Sequence, residues 1–434
     1  KVAVTIYAGG LVFQQVFGIK ELWGIDFFWI AAIGLVVLTA LYTIFGGMKS
    51  VLYTSVLQTP ILLLGSLIIL VLGFKELGGW DEMMRVCGAV TVNDYGDTMT
   101  NLIRSNDDAN FPWLGALIGS AIIGFWYWCT DQFIVQRVLS GKNEMEARRG
   151  TIFGAYLKLL PVFLFLIPGM IAFALHQKYI GAGGEGFLPM LANGTANADA
   201  AFPTLVAKLL PAGVKGLVVC GILAALMSSL ASLFNSSAML FTIDFYKRFK
   251  PETPEKKLVG IGQIATIVIV VLGILWIPIM RSVGDVLYTY LQDVQSVLAP
   301  GIAAAFLLGI CWKRTSAQGG MWGLISGMVI GLTRLGAKVY YSNAGEVADS
   351  TFKYLFYDMN WLFFCGWMFL FCIIVVIVVS LATEAPTAEK IQGLVFGTAT
   401  KEQKAATRAS WNHWDIIHTV IILAITAAFY WYFW

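Results

Sequence analysis

A run of small hydroxylated residues, SSLASLFNSS from Ser228 to Ser237, lies within a strongly apolar segment. Adjacent serine hydroxyls can ligate a hard cation through oxygen, particularly opposite a carbonyl-lined break in another helix. Small residues also let two helices approach closely and hydrogen-bond across their interface. The run therefore predicts either a cation site or a helix-packing surface.

An aromatic cluster, WYWCTDQ from Trp126 to Gln132, follows Gly115, Gly119 and Gly124. Glycines in an apolar helix indicate a bend or an unwound stretch, which transporters place near mid-membrane sites. Large rings with polar tips can stack on the apolar face of a sugar. The alternative is an aromatic belt at the membrane interface, although the cluster begins deep within its apolar segment.

Two further positions carry hydrogen-bonding groups at membrane depth. Lys158 lies near the middle of an apolar segment, where an ionisable group costs roughly 2.5–3.5 kcal/mol. We therefore favour a functional role for it over a stem that snorkels to the interface. Tyr288 and Gln292 are four residues apart and share one helix face. The amide of Gln292 suits two vicinal hydroxyls, or equally a neighbouring helix.

The composition of the chain requires a lipid environment. Of its 434 residues, 58% are hydrophobic and 13% are charged, and the charged fraction is about half that of a soluble domain. A mean hydropathy of +0.75 over this length exceeds what one soluble core can bury. A water-soluble enzyme is excluded, and a net charge of +3 without a basic tail gives no electrostatic footprint for nucleic acid.

Continuous apolar runs of about 20 residues favour helices that cross about 30 Å of hydrocarbon. We predict a partial span at 1–17 and full spans at 24–45, 47–74, 112–138, 147–176, 213–249, 256–280, 282–310, 316–337, 356–382 and 412–433. No constellation of His, Asp and Glu gathers in any of these spans, which argues against a membrane-embedded enzyme.

Basic residues in the connections predict the orientation. If the loop after 112–138 is cytoplasmic, most connecting lysines and arginines, including Lys1, lie on the cytoplasmic side, as the positive-inside rule requires. Lys215 and Arg334 lie within a turn of an outer helix end, where we interpret them as snorkelling side chains. Because the first apolar run is only marginally long for a span, we expect an upstream portion of the protein.

At these residues the chain resembles the sodium/solute symporter family, specifically its sodium/glucose cotransporter branch. The resemblance covers nearly the whole chain. The matching stretches are 46–58 (GGMKSVLYTSVLQ), 126–137 (WYWCTDQFIVQR), 150–158, 211–246 and 288–312. The strings WYWCTDQ and SSLASLFNSS are specific, because few unrelated proteins are expected to carry both at this spacing.

The resemblance implies an all-α polytopic membrane protein with a LeuT-type inverted repeat of five plus five helices and additional C-terminal helices. Residues 1–74 would be the remainder of the first repeat, and 75–111 an extracellular or periplasmic loop. Residues 112–310 would form the second repeat. Residues 311–434 would add the C-terminal helices, with a cytoplasmic loop at 383–411. Upstream helices would supply a broken core helix that completes both sites.

The resemblance also implies the residues that bind a sugar. Tyr127 would be an inner gate stacked on the sugar with Trp128 beside it, Lys158 and Gln292 would bind hydroxyls, and Tyr288 would be an outer-gate aromatic residue. Some relatives carry a polar side chain at the position of Gly124, where this chain has no side chain to contact the sugar.

For sodium, the resemblance implies the carbonyl of Ala225 and the hydroxyls of Ser228 and Ser229. Ala225 rests on the resemblance alone. The family usually has Asp where this chain has Ser55, and some relatives have Thr where this chain has Ala231. Losing a carboxylate and a hydroxyl argues against a second sodium ion.

These features predict a secondary active transporter, not an enzyme, that couples inward sodium movement to uptake of a monosaccharide of the glucose or galactose type by alternating access. Sodium is the expected coupling ion. The expected partners are the monosaccharide and membrane lipid, with no nucleic acid and no obligate protein partner. The expected location is the plasma membrane, or the inner membrane of a bacterium, as a multi-pass protein.

Two alternatives stay open at this point. The solute could be myo-inositol or another polar molecule carried by the same sodium coupling. The protein could instead be a sugar-gated sensor or channel, which the missing carboxylate at Ser55 supports.

Overall fold

The computed structural model describes residues 1–191, 194–281, 287–344 and 348–433. At 42, 44–51, 54, 57 and 279–281 it describes the backbone only. The chain divides into two units. The first unit comprises 1–92, 98–100 and 158–281, and the second comprises 93–97, 101–157 and 282–434. Each unit is described by itself below.

Helices make up most of the described chain. In chain order the elements are α1 (Val2–Phe17), β1 (Glu21–Leu22), β2 (Ile25–Asp26), α2 (Phe27–Leu77), α3 (Trp80–Gly88), α4 (Trp113–Cys129), α5 (Gln132–Leu139), α6 (Glu144–Pro161), a π-helical segment (Val162–Leu166), α7 (Ile167–Gly181), a 3₁₀ turn (Ala198–Ala200), α8 (Ala201–Leu209), α9 (Ala212–Met239), a π-helical segment (Leu240–Tyr246), α10 (Lys247–Phe249), α11 (Glu255–Arg281), α12 (Leu287–Cys311), α13 (Ala317–Asn343), α14 (Thr351–Lys353), a π-helical segment (Tyr354–Asp358), α15 (Trp361–Ala382), α16 (Ala388–Ile391), α17 (Lys401–Ala409) and α18 (His413–Tyr432). The two strands form an antiparallel hairpin between α1 and α2.

Apolar helix faces build a separate core in each unit. In the first unit, α2, α7, α8 and α9 bury a cluster that includes Ile69, Ile171 and Leu205. In the second unit, α4, α12 and α15 bury a cluster that includes Ile122 and Ala299. The helices that carry the candidate site residues are therefore held by packing within their own unit.

Seven helices in the described part of the chain are long and apolar enough to cross a membrane, or eight if the bent pair α4 and α5 forms one span. With the bent pair included, seven of them match the predicted spans from 112–138 onward, except 316–337, and the eighth, Gln58–Leu77, lies in the predicted span 47–74. The apolar helix Val2–Phe17 is shorter, and α13 (Ala317–Asn343) is not among these candidates. The expectation of a multi-pass helical membrane protein is confirmed.

The predicted spans 24–45 and 47–74 fall within one helix, α2, rather than two. The two spans were predicted on either side of Gly46, but glycine lowers helix propensity without ending a helix. Pro60 is also accommodated inside α2.

The bend in the predicted span 112–138 lies elsewhere than its glycines suggested. α4 ends at Cys129, and α5 begins at Gln132 with an angle of 47° between them. Asp131 caps α5 by accepting a hydrogen bond from Phe133 N at 3.1 Å. Gly119 instead permits close packing, because a Cβ there would lie 2.8 Å from the carbonyl oxygen of Leu362.

A π-helical segment joins α6 and α7 without ending the spanning helix. Pro161 and Pro168 stand at its two sides. Proline has no N–H to donate and its ring crowds the carbonyl four residues earlier, which locally disturbs the α-helical ladder. The wider π turn lies between these two disturbances, a few residues after Lys158.

Candidate functional site

Helices α2 and α9 of the first unit approach each other at glycines. A Cβ at Gly65 would lie 2.6 Å from Val218 Cγ2, and one at Gly221 would lie 3.0 Å from Ile61 Cγ2. Because glycine has no side chain at these positions, the two helix backbones can lie close together. Polar groups on the facing surfaces can then hydrogen-bond directly.

The close approach joins two serines from distant parts of the chain. Ser55 Oγ on α2 lies 2.6 Å from Ser228 Oγ on α9, and either hydroxyl can be the donor. Ser228 is 7% exposed. The position at which this chain lacks the expected carboxylate therefore contacts one of the two serines predicted to bind sodium.

The serine run of α9 has two kinds of environment. Ser232 Oγ donates to the carbonyl of Ser228 at 3.0 Å, and Ser236 Oγ donates to the carbonyl of Ser232 at 2.8 Å. These two buried hydroxyls are used within the helix, as packing residues are. Ala225 and Ser229 are half-buried on the same helix. The predicted sodium residues thus lie within two turns of α9, and Ser228 among them contacts α2.

The aromatic residues at the end of α4 differ in how deeply they are buried. Trp126 is 9% exposed and belongs to the core shared with α12 and α15. Tyr127 is half-buried and its ring centroid lies 5.3 Å from that of Trp128, nearly perpendicular to it. Trp128 is 49% exposed. The two predicted gate residues therefore present ring surface next to the bend that follows α4.

The residues predicted on α12 also lie in the second unit. Tyr288 is 56% exposed, and Gln292 one turn later is half-buried. Between them, Tyr290 is buried with the core side of the helix. Tyr288 and Gln292 thus share a face that is more accessible than the packed face of α12.

Lys158 lies in the last turn of α6, before the π-helical segment, and is exposed. At mid-span, an ionisable side chain is costly unless it reaches a polar partner or a water-filled space. Lys158 belongs to the first unit, whereas the other four predicted sugar-binding residues belong to the second.

One interpretation from the sequence is wrong. Arg334 does not snorkel to an interface, because it is 0% exposed. Its Nη2 donates to the carbonyl of Met359, 25 residues later in the chain, at 2.7 Å. Its guanidinium carbon lies 4.1 Å from the ring centroid of Phe364. A buried acceptor on a distant segment was not visible from helix ends alone.

Arg334 is part of a charged group that the sequence did not reveal. Asp293, next to Gln292, has Arg334 Nη2 at 3.6 Å and also accepts a hydrogen bond from Lys338 Nζ. Arg334 and Lys338 are four residues apart on α13, which places both on one helix face. That spacing was a signal for a shared acidic partner.

A comparison with protein families identifies the family to which the chain belongs. The family model "Sodium:solute symporter family" matches residues 1–327, about three quarters of the chain. The chain belongs to the sodium:solute symporter family. This family membership confirms the expectation of a membrane transporter rather than an enzyme.

Curated relatives name several solutes. The chain is 34% identical to the bovine sodium/mannose cotransporter SLC5A10, with 100% of this chain and 75% of that protein covered. It is 35% identical to human sodium/myo-inositol cotransporter 2, covering 92% of this chain and 60% of that protein. The mouse sodium/glucose cotransporter 4 is 34% identical, with 92% and 59% covered.

A solved structure of related fold is a Na⁺-coupled sialic acid symporter in a substrate-bound outward-open state. It aligns with a TM-score of 0.63 at 21% identity and covers 89% of this chain and 74% of that chain. This symporter has the LeuT-type fold, and the predicted fold class is confirmed.

Proposed function

We propose that the protein takes up a neutral polyhydroxylated solute, a monosaccharide of the glucose or galactose type, driven by inward movement of sodium. Membership of a family of sodium-coupled symporters supports the coupling. The observation that carries the ion site is the hydroxyl pair of Ser55 and Ser228 beside the half-buried Ser229 and Ala225. A hard cation prefers such oxygen ligands.

For the solute, we assign stacking to Tyr127 and Trp128 and hydroxyl recognition to Gln292 and Lys158, with Tyr288 as an outer gate. An amide offers two donors and an acceptor, which suits vicinal hydroxyls. Ring faces suit the apolar face of a pyranose. Myo-inositol is the second candidate, because two of the relatives above differ in naming mannose or myo-inositol at nearly equal identity.

In this proposal sodium stabilises an outward-open state, solute binding closes the outer gate, and a change of conformation exposes both ligands to the cytoplasm. The scheme assigns residues 1–74 and 112–310 to the two inverted repeats and 311–434 to additional helices. It places the protein in the plasma membrane, with the solute, sodium and lipid as its partners.

Uptake into proteoliposomes tests the proposal. The full-length protein is reconstituted and offered labelled glucose, galactose, mannose and myo-inositol, each with and without an inward sodium gradient. We expect one of the monosaccharides to accumulate above its external concentration only with the gradient. Entry that is independent of sodium would reject coupling, and a current without accumulation would indicate a sugar-gated channel.

Two matched pairs of variants test the assigned sites. Ser229→Ala should raise the sodium concentration for half-maximal uptake about tenfold, the equivalent of about 1.4 kcal/mol, whereas Ser237→Ala on the same helix should not. Gln292→Ala should raise the solute KM similarly, whereas the exposed Gln318→Ala should leave it unchanged. Equal behaviour within either pair would remove that residue from its site.

A further inference from the structure

We propose that Asp293, Arg334 and Lys338 form a positioning group that fixes the N-terminal half of α12 and so holds Gln292 in the orientation that binds the solute. The inference rests on the proposed function, which places Gln292 in the solute site. It adds residues that do not contact the solute themselves.

The group joins three segments of the second unit through one carboxylate and two cations. Asp293 on α12 accepts a hydrogen bond from Lys338 Nζ and lies 3.6 Å from Arg334 Nη2. Arg334 Nη1 donates to the carbonyl of Leu355 at 3.3 Å and Nη2 to that of Met359 at 2.7 Å. One guanidinium thus ties α13 and Asp293 to the chain that leads into α15.

The charged group is at the end of the α12–α13 interface where glycine packing stops. Toward the C-terminal half of α12, a Cβ at Gly331 would lie 2.2 Å from the carbonyl oxygen of Val297, and one at Gly327 would lie 3.0 Å from the Cα of Gly301. These contacts hold the helices together without charge. The ionic contacts therefore hold α12 against α13 at Asp293, one turn before Val297.

Burying Asp293 and Arg334 beside the half-buried Lys338 is costly, and apolar side chains of similar size often stabilise a fold equally well. The ionic group differs from apolar packing because its contacts are directional. A carboxylate held from two sides fixes the rotation of its helix about the helix axis. Successive residues of an α-helix point about 100° apart. Holding Asp293 against α13 therefore sets the direction of Gln292, and of Tyr288 on the same face.

A labelling experiment measures this orientation without any solute. In the full-length protein with its exposed cysteines replaced by serine, including Cys129, Cys220 and Cys311, Gln292→Cys reports its position by its rate of reaction with a small methanethiosulfonate reagent. Adding Asp293→Asn should change this rate at least about threefold, since a site must be held within about 10–20° to keep its geometry. The matched control is Asp349→Asn, which removes an exposed carboxylate that pairs with Lys353. The control should leave the rate unchanged.

Transport kinetics supply the second readout. In the otherwise natural chain, Asp293→Asn should raise the solute KM about tenfold while the half-saturating sodium concentration stays the same, and Asp293→Glu should restore part of the affinity. A merely structural role would instead change both affinities together. That pattern, or a labelling rate equal to that of the Asp349→Asn control, would overturn the proposal.

Lys338→Met covers the case in which Asp293→Asn does not fold, because it keeps Arg334 beside Asp293. It should shift both readouts in the same direction by a smaller factor, and the absence of any shift would count against the group. If the wild-type protein accumulates none of the tested solutes, the proposed function fails. The labelling rate at residue 292 still shows whether the charged group orients α12.

Discussion

Two helix pairs of this protein pack closely through glycine but place different polar groups at the contact. In the first unit, α2 and α9 bring together the neutral hydroxyls of Ser55 and Ser228. In the second unit, α12 and α13 bring together Asp293, Arg334 and Lys338. Both contacts therefore contain polar groups, which are neutral in the first pair and charged in the second.

The two contacts differ in how easily a bound ion can replace the interaction between the polar groups. A hydrogen bond between two hydroxyls contributes about 0.5–1.5 kcal/mol, so a cation can replace it at little cost. A buried ionic group costs about 3–5 kcal/mol when one partner is removed, because a charge is left uncompensated. The hydroxyl contact suits a site that binds and releases an ion, and the ionic contact suits a fixed support.

Arg334→Met should have the largest effect on folding. It removes a guanidinium that is 0% exposed, frees two carbonyls and leaves Asp293 with one cation, so we expect a loss of about 3–5 kcal/mol in the free energy of unfolding. Chemical denaturation of the purified protein in detergent micelles measures this loss. The control is Arg85→Met, which breaks an exposed pair with Glu82 and should leave the midpoint unchanged. Equal midpoints for both variants would refute the contrast between buried and exposed arginine.

Gly331→Ala should destabilise the second unit through sterics alone. Its Cβ would lie 2.2 Å from a backbone oxygen of α12, and such overpacking costs typically about 1–3 kcal/mol. Gly336→Ala, on the same helix with nothing within 4 Å of its Cβ, should be neutral or slightly stabilising because alanine favours helix. Thermal unfolding of the two variants side by side checks the prediction, and a neutral Gly331→Ala would mean that α12 and α13 separate easily.

Ser228→Ala should barely alter stability but should weaken sodium activation. If Ser228 is a sodium ligand as proposed, removing its hydroxyl should raise the half-saturating sodium concentration about tenfold, while the free energy of unfolding changes by about 1 kcal/mol or less. Sodium titration of uptake, with unfolding measured on the same preparation, tests both halves. A large loss of stability without a sodium effect would make the serine a packing residue.

Ser55→Ala should have the smallest effect, because in the proposed site Ser55 would act on the ion only through its hydrogen bond with Ser228. We expect the half-saturating sodium concentration to rise about threefold, on the order of 0.6 kcal/mol. Thr333→Val, at an exposed hydroxyl on α13, is the control and should change nothing. Tighter sodium binding in Ser55→Ala would show instead that the Ser55–Ser228 hydrogen bond competes with the ion.

The sequence predicted the helical membrane fold and the positions of most spans, because apolar length is a local property of the chain. It placed the bend of 112–138 at glycines, whereas the break follows Cys129 and is capped by Asp131. Glycine is ambiguous in a membrane helix, since it permits both bending and close packing. Only the neighbouring helix decides between the two.

The candidate residues were predictable by type, but their contacts were not. Ser55 was notable in the sequence only for the carboxylate it lacks, and its contact with Ser228 joins positions 173 residues apart. Arg334 was misread for the same reason, since its partners Asp293 and Met359 lie on other segments. Pairings at such separations depend on which helices pack together.

The π-helical segment Val162–Leu166 has a consequence for the lysine that precedes it. A π turn holds more residues than an α turn, so it acts as a one-residue insertion in the spanning helix. Each residue of an α-helix corresponds to about 100° of rotation. Replacing this segment by regular α-helix with the same number of residues would therefore turn Lys158 by about 100° relative to the buried His176. The direction in which this ammonium group points is set by the phase of the helix as well as by the identity of the residue.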